Sequence, residues 1–372
     1  MSYNLTTMQS IYHGQDEIVE ITYNGSSVYQ KSSGPDYTEP FYVENTSNEN
    51  ETLNIMKSKD MAPTLTIEYS TDKTVWNTFG TTSTTALTRT LAPGDKVYLR
   101  CSAEKWASST SKFNIITGVS KVSGNAMSLL YGSNFTGEET SFQSGSRYIF
   151  TLLFYNNTRL VNASKLLLPA TTLAESCYSD MFNGCTSLTS APALPATTLA
   201  KSCYSDMFNG CTSLTSAPAL PATTLATNCY SNMFYGCTSL TTAPALPATT
   251  LTDYCYSSMF YGCTSLTTAP ALPATTLTDY CYSSMFGGCR SLTTAPALPA
   301  TTLVSNCYNN MFRGCRSISN MKCLATSGIN EEGSTINWVY NVETNGTFTK
   351  AAGVEWPTGV SGIPNKWTVV EV

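Results

Sequence analysis

Two periods of apolar residues divide the chain. From residue 17 to about residue 116 apolar and polar positions alternate in short runs broken by turn residues, which predicts β-strands half buried on one face. Residues 17–23 alternate, Asn24-Gly25 follows, and Val28 and Tyr29 resume the pattern, the signature of a β-hairpin closed by a type I′ turn. A hairpin this small is not stable alone and needs another surface to pair with. Residues 32–35, Ser-Ser-Gly-Pro, read as a linker. Runs at 41–45, 52–56, 64–70, 75–79 and 96–102 then predict a compact antiparallel β-sandwich, its core supplied by Trp76, Phe79, Tyr98 and Leu99. Sugar binding by Trp76 or Trp106 is the alternative use of those aromatics.

Beyond the sandwich the spacing becomes four. Between Leu168 and Cys323 a 26-residue unit recurs six times: Leu-Pro-Ala-Thr-Thr-Leu, three variable residues, Cys-Tyr, two variable, Met-Phe, one variable, Gly-Cys, and a Leu/Thr/Ala/Pro stretch. Fixed self-similarity of this length predicts a solenoid whose units bury apolar faces only against one another. In one unit Leu225, Cys229, Met233 and Cys237 are spaced by four beside Tyr230 and Phe234, which predicts a helix ending at Gly236. Leu240 to Leu246 is then extended, but Pro244 donates no ladder bond, so the strand is short or broken there. Strands stack about 4.8 Å apart and helices about 8–10 Å, a mismatch that would curve the array. The fold class expected is therefore mixed: an N-terminal β-hairpin and β-sandwich, then an α/β-solenoid with a small C-terminal cap. The divisions are residues 1–35, 36–120, 121–323 with a degenerate first coil at about 147–168, and 324–372, the last carrying Trp338, Trp356 and Trp367.

Composition narrows the chemistry. Only 12% of residues are charged, the net charge is −5, and Thr, Ser and Asn supply much of the polar surface. That leaves no basic footprint for nucleic acid, and no apolar run is long enough to insert into a membrane. The fourteen cysteines and single histidine, His13, do not have zinc-ligand spacing. Eight residues of helix separate the two thiols of a unit by about 12 Å, beyond disulfide reach. Free, buried thiols acting as small hydrophobes are expected, with no metal and no cofactor. A Gly-rich phosphate loop is absent, and acids within the units are few and isolated: Glu175, Asp180, Asp206, Asp253 and Asp279. An enzyme is not expected.

Phe182, Gly184, Cys185, Leu188 and Leu194-Pro195, with their copies, resemble the BspA-like class of leucine-rich repeats, here with Met before Phe. The resemblance implies adhesion to a bacterial surface glycan or protein; similar arrays occur in virion proteins of phages that infect gut bacteria. Gly14, Ile18, Ile21, Tyr23-Asn24-Gly25 and Val28-Tyr29 look like short β modules at the start of tailed-phage structural proteins. They imply an attachment segment for other virion proteins, carried by Tyr12, Ile18, Ile21, Tyr23, Val28 and Tyr29. Residues 1–14 lack a basic flank followed by an apolar core, which agrees with assembly in a host cytoplasm rather than secretion. The expectation is a non-enzymatic fibre or decoration protein of a virion, the alternative a bacterial cell-surface adhesin. A homo-oligomer is compatible with either. Between units the variable positions would form the exterior. Tyr235, Tyr254, Tyr261 and Tyr280 would make an aromatic patch on the middle units, and Arg290, Arg313 and Arg316 would add positive charge on the last.

Overall fold

The computed structural model describes residues 20–23, 26–30, 35–57, 66–83, 85–101, 114–142, 145–329 and 331–372. Strands β1 (Glu20–Tyr23) and β2 (Ser26–Gln30) pair antiparallel with Ile21 opposite Tyr29, so the expected hairpin forms. Its Asn24-Gly25 turn, and Tyr12, Ile18, His13 and Trp106, lie outside the described residues. Strands β3 (Tyr42–Glu44), β4 (Glu51–Lys57), β5 (Thr66–Ser70), β6 (Asn77–Thr81), β7 (Leu87–Leu91), β8 (Lys96–Cys101), β9 (Asn114–Thr117), β10 (Lys121–Asn125) and β11 (Asn162–Leu167) build two sheets. One runs β11-β10-β3-β8-β5-β6 and the other β7-β4-β9. Val43, Val97 and Leu99 of the first and Leu53, Ile55, Leu91 and Ile116 of the second are buried in one core. Leu99 is buried in that core as expected and Phe79 packs at its edge; Tyr98 is covered but lies outside the core, its hydroxyl donating to Glu39 at 2.8 Å, and Trp76 is half-exposed and takes no place in it. Its indole donates to the Lys73 carbonyl at 3.1 Å and lies under the Arg100 guanidinium, 4.1 Å from the ring centroid.

The first sheet crosses the division expected at residue 120. Strand β10 pairs antiparallel with β3 and parallel with β11, which belongs to the first, irregular unit. Ile116 N–H donates to the Leu153 carbonyl at 2.7 Å, and Phe41 stacks on Phe154 at 6.1 Å. The sheets therefore form the surface on which the repeats begin.

The helical half of each repeat does not form. The one α-helix among the described residues, α1 (Ser128–Tyr131), precedes the repeats. In its place is a chain of four-residue turns, each closed by a residue at positive φ: Ser202 at 55°, Asp206 at 57° and Gly210 at 72° in one unit. A left-handed residue every fourth position cannot occur in a right-handed helix. Hydrogen bonds alternate accordingly. Cys203, Ser205, Met207, Asn209 and Cys211 donate three residues back within the unit, while Ser202, Tyr204, Asp206, Phe208 and Gly210 donate to carbonyls of the next unit at 2.8–3.0 Å. Every second amide thus ties one repeat to its neighbour, which is how a non-helical, non-strand segment satisfies its backbone. Because these segments are also hydrogen-bonded between units, the spacing mismatch between helix and strand that was expected to curve the array does not arise.

On the other side of each unit the prolines act as expected. Where Pro192, Pro218, Pro244, Pro270 and Pro296 interrupt the extended segment, neighbouring units are joined there only by isolated parallel bridges such as Ser216 to Thr242 and Thr242 to Thr268. Residues 162–167 and 320–322 lack that proline and form strands, β11 and β12 (Asn320–Lys322).

Two columns of rings run through the stack. Phe154, Phe182, Phe208, Phe234, Phe260, Phe286 and Phe312 follow one another at 5.2–5.8 Å. Phe150 and the tyrosines from Tyr178 to Tyr308 form the second at 5.7–6.2 Å. The degenerate first coil is thereby in register, with Phe150 and Phe154 in the places of Tyr and Phe. The turn ladder also passes the division expected at residue 323: Tyr308, Asn310, Phe312 and Gly314 donate to Ser334, Ile336, Trp338 and Tyr340. Trp338 meets both columns, 6.1 Å from Tyr308 and 6.4 Å from Phe312, and is covered by Trp356 at 5.5 Å. Beside it β12, β13 (Thr347–Lys350) and β14 (Thr368–Glu371) form a parallel three-stranded sheet. The C-terminal region, expected to be β-rich, contributes only β13 and β14 and is otherwise mostly turns.

Phe234→Ala should lower unfolding free energy by about 3–5 kcal/mol, since it empties a fully buried ring site. Gly236→Ala should cost about 1–2 kcal/mol, because φ is +69° there while the nearest atom to a new Cβ is 3.9 Å away. Denaturant titration measures both; equal losses would mean that the ring column is not what holds adjacent repeats.

Candidate functional site

The turn ladder decides which residues face outward and which backbone they must adopt. In successive units the first left-handed position holds Ser176, Ser202, Asn228, Tyr254, Tyr280 and Asn306. The second holds Asp180, Asp206, Asn232, Ser258, Ser284 and Asn310, and the third is always glycine. Asparagine, aspartate and glycine suit this conformation because short polar side chains bond locally and glycine has no Cβ. Asn183 donates to Asp180 at 2.9 Å and Asn209 to Asp206 at 2.9 Å, so these acids brace turns. The structure does not pair them with one another as acid and base.

Tyr254 and Tyr280 break that rule. They hold φ of 58° and 56° with bulky side chains, a strained arrangement for such residues. Their rings stack outside the core, centroids 4.5 Å apart and planes 8° apart. The buried core does not require either ring, since neither tyrosine belongs to it.

Tyr235 and Tyr261 form a separate stacked pair at 4.9 Å, at the far end of the same turn runs, beside the third left-handed position. The four tyrosines are thus two ladders rather than one patch. Tyr261 in turn meets Arg290, Arg313 and Arg316 around an open notch of about 290 Å³, completed by Gly288, Gly314, Tyr340 and Asn341. Tyr340 lies beyond the regular repeats, and nothing in the repeat pattern pointed to it. Ile21, Tyr23, Val28 and Tyr29 lie on β1 and β2, away from these exterior positions in sequence.

The threonines that dominate the surface have structural work. Thr212, Thr238 and Thr264 hydroxyls donate to carbonyls of the preceding unit at 3.2–3.4 Å, as do Thr241 and Thr267 at 3.3–3.4 Å.

Residues 175–319 match the model of the BspA type leucine rich repeat region, in six copies. The match covers the regular units and stops short of both irregular ends. No curated protein and no solved structure matches the chain.

The thirteen cysteines from Cys177 to Cys323 are buried free thiols. The second cysteine of each regular unit from Cys211 to Cys315 donates its S–H to a phenylalanine carbonyl of the preceding unit, at 3.1 Å from Cys237 to Phe208. Among the described residues no cluster of three His, Cys, Asp or Glu is placed to hold a metal ion. No described helix is long and apolar enough to cross a membrane.

Burial pushes the thiols of Cys185, Cys255, Cys263, Cys315 and Cys323 up to about 12, and that of Cys307 to about 11. An ordinary thiol ionises near 8.5. Since the folded values are raised, this contribution to stability is complete below about pH 8.5 and is lost as pH climbs through about 11–12. Unfolding midpoints should therefore fall steadily between about pH 8.5 and 11, and a thiol reagent at pH 8 should label the native chain far more slowly than the denatured one. Rapid labelling of native thiols would contradict the buried placement.

Proposed function

We propose that this chain is a non-enzymatic adhesion protein whose stacked repeats form a solenoid displayed toward a bacterial surface glycan or protein. The observation that carries this reading is the contrast between constant interior and varied exterior: every unit repeats the same ring columns and backbone ladder, while strained, stacked tyrosines and arginines occupy outward positions. A repeat region of the BspA type supports a surface role of this kind. Catalysis has no matching support: Asp180 and Asp206 brace turns and Glu175 pairs with Arg147.

The finer reading is a virion fibre or decoration protein, attached through residues 1–35 and displaying residues 121–323, with the sheets between them as a spacer and residues 324–372 as a cap. Two observations favour it. The N-terminal pattern resembles phage structural modules, and its two strands pair as a hairpin with Tyr23 opposite Ser26. The thirteen buried free thiols from Cys177 to Cys323 suit folding in a reducing compartment. The repeat family itself favours the second reading, a bacterial cell-surface adhesin.

Tyr254→Asn with Tyr280→Asn places in both units the residue found at Asn228 and Asn306. Stability should change by less than about 1 kcal/mol, relief of backbone strain offsetting the lost ring stacking, while adhesion of labelled protein to bacterial cells should fall. Unchanged adhesion would remove this pair from the recognition surface. Replacing residues 1–30 should abolish incorporation into particles; a chain found on the host envelope and absent from purified virions would exclude the virion form.

A further inference from the structure

The notch beside Tyr261 has a local cause. The position before the third left-handed residue holds Asn183, Asn209, Tyr235, Tyr261, Gly287 and Arg313 in successive units. Gly287 therefore interrupts a continuous ladder of side chains. Tyr261 leans into the gap so closely that a Cβ on Gly287 would lie 2.6 Å from its ring. The space left beyond that ring is the notch.

A second ladder changes at the same place. Thr186, Thr212, Thr238 and Thr264 occupy one position in four units, and Arg290 and Arg316 occupy it in the last two. No arginine occurs between residues 160 and 289, yet Arg290, Arg313 and Arg316 all line this one notch. Independent drift would scatter such changes; here three arginines and one glycine coincide.

The charges are also uncompensated. Arg100 pairs with Glu68 at 2.6 Å and Arg147 with Glu175 at 3.1 Å, but among the described residues no ion pair involves Arg290, Arg313 or Arg316. None of the residues lining the notch is acidic. Arg313 instead lies 5.5 Å from the Tyr340 ring centroid. The floor offers little of its own, since Gly288 and Gly314 N–H groups already donate to the Arg313 and Tyr340 carbonyls at 2.7 Å. Three like charges gathered in a protein of net charge −5 mutually repel, and an anion would relieve that repulsion through charge-assisted, forked hydrogen bonds.

The geometry points to a ligand that is an anionic sugar residue of a bacterial glycan, with its carboxylate or phosphate held by Arg290, Arg313 and Arg316 and a ring face against Tyr261. This rests on the adhesion reading and specifies its ligand. The volume of about 290 Å³ is at the lower end for small-molecule sites and suits one sugar unit of a longer chain. A nucleic acid would need a basic track for successive phosphates, which three arginines at one notch do not provide.

Calorimetry on the full chain with oligogalacturonate, its methyl ester, mannose 6-phosphate and a single-stranded oligonucleotide tests the assignment. At least one acidic sugar should bind, the uronate or the phosphate, and which one identifies the anion. Esterification should abolish any oligogalacturonate binding, and binding should weaken with added salt. Arg290→Gln and Arg313→Gln should each weaken binding about tenfold or more with unchanged melting. Gly287→Tyr, which restores the ladder seen at Tyr235 and Tyr261, should close the notch and abolish binding in a folded protein. No binding of either acidic sugar, wild-type affinity in the arginine variants, or tighter binding of the oligonucleotide through the same arginines would overturn the assignment. Adhesion to cells without acidic-sugar binding would remove the notch and leave the adhesion reading. Acidic-sugar binding without adhesion would do the reverse.

Discussion

The backbone bond between residue i of one unit and residue i+25 of the next sets the terms for the rest of this structure. Five such bonds per interface, as from Ser202, Tyr204, Asp206, Phe208 and Gly210, allow no change in length within the turn run. Irregularity is therefore confined to places the ladder does not cross. The first unit has two extra residues, and they fall in the segment of β11, between the bridges of Asn162 to Ser190 and Thr172 to Thr198. Strict register also brings like side chains together, so a ring in one unit finds a ring in the next. Stacked aromatic columns are a consequence of the ladder and add to its stability.

Such an array has ends, and each is closed by aromatic rings from outside the regular units. At the start Phe142 packs edge-on against both Phe150 and Tyr178, at 6.3 and 5.9 Å, while Phe41 from the neighbouring sheet stacks on Phe154. At the other end the indole of Trp338 reaches both columns at once, and its N–H donates to the Gly362 carbonyl at 2.8 Å. A phenylalanine there would close one column and leave the other facing solvent.

Much of this was legible in the sequence. Period, ring and thiol burial, the effect of proline on the extended segment, the in-register first unit and the β-rich N-terminal part all followed from spacing and residue type. The helix did not, and the reason is specific. Apolar pairs such as Cys203-Tyr204 and Met207-Phe208 recur every four residues, which matches a helical face over a short window. A true helix would drift by about 40° with each step of four, whereas this spacing holds strictly through Cys211. Ser, Asp and Asn at every fourth place, ending in an invariant glycine, were the signal for left-handed turns. Trp76 misled for a different reason: its ring is used by Arg100 and Lys73 at the surface instead of by the core. The arginines and tyrosines of the exterior could be named from sequence, but not grouped, because Tyr340 joins them only through a further turn outside the regular repeat.

The same left-handed turns explain why the exterior is informative at all. A surface position free to adopt any conformation accepts almost any polar residue, so its identity says little. A position held at positive φ excludes most side chains, and four of six units answer with serine or asparagine at the first such place. Tyrosine at 254 and 280 is opposed by the backbone and unneeded by the core. Gly287 is informative in the opposite way: its φ is not in the left-handed region, so the backbone does not demand glycine there, and its neighbours in the column are Tyr261 and Arg313. What requires a missing side chain at 287 is the ring of Tyr261 lying across it. The departures from repetition are therefore set by contacts outside the core.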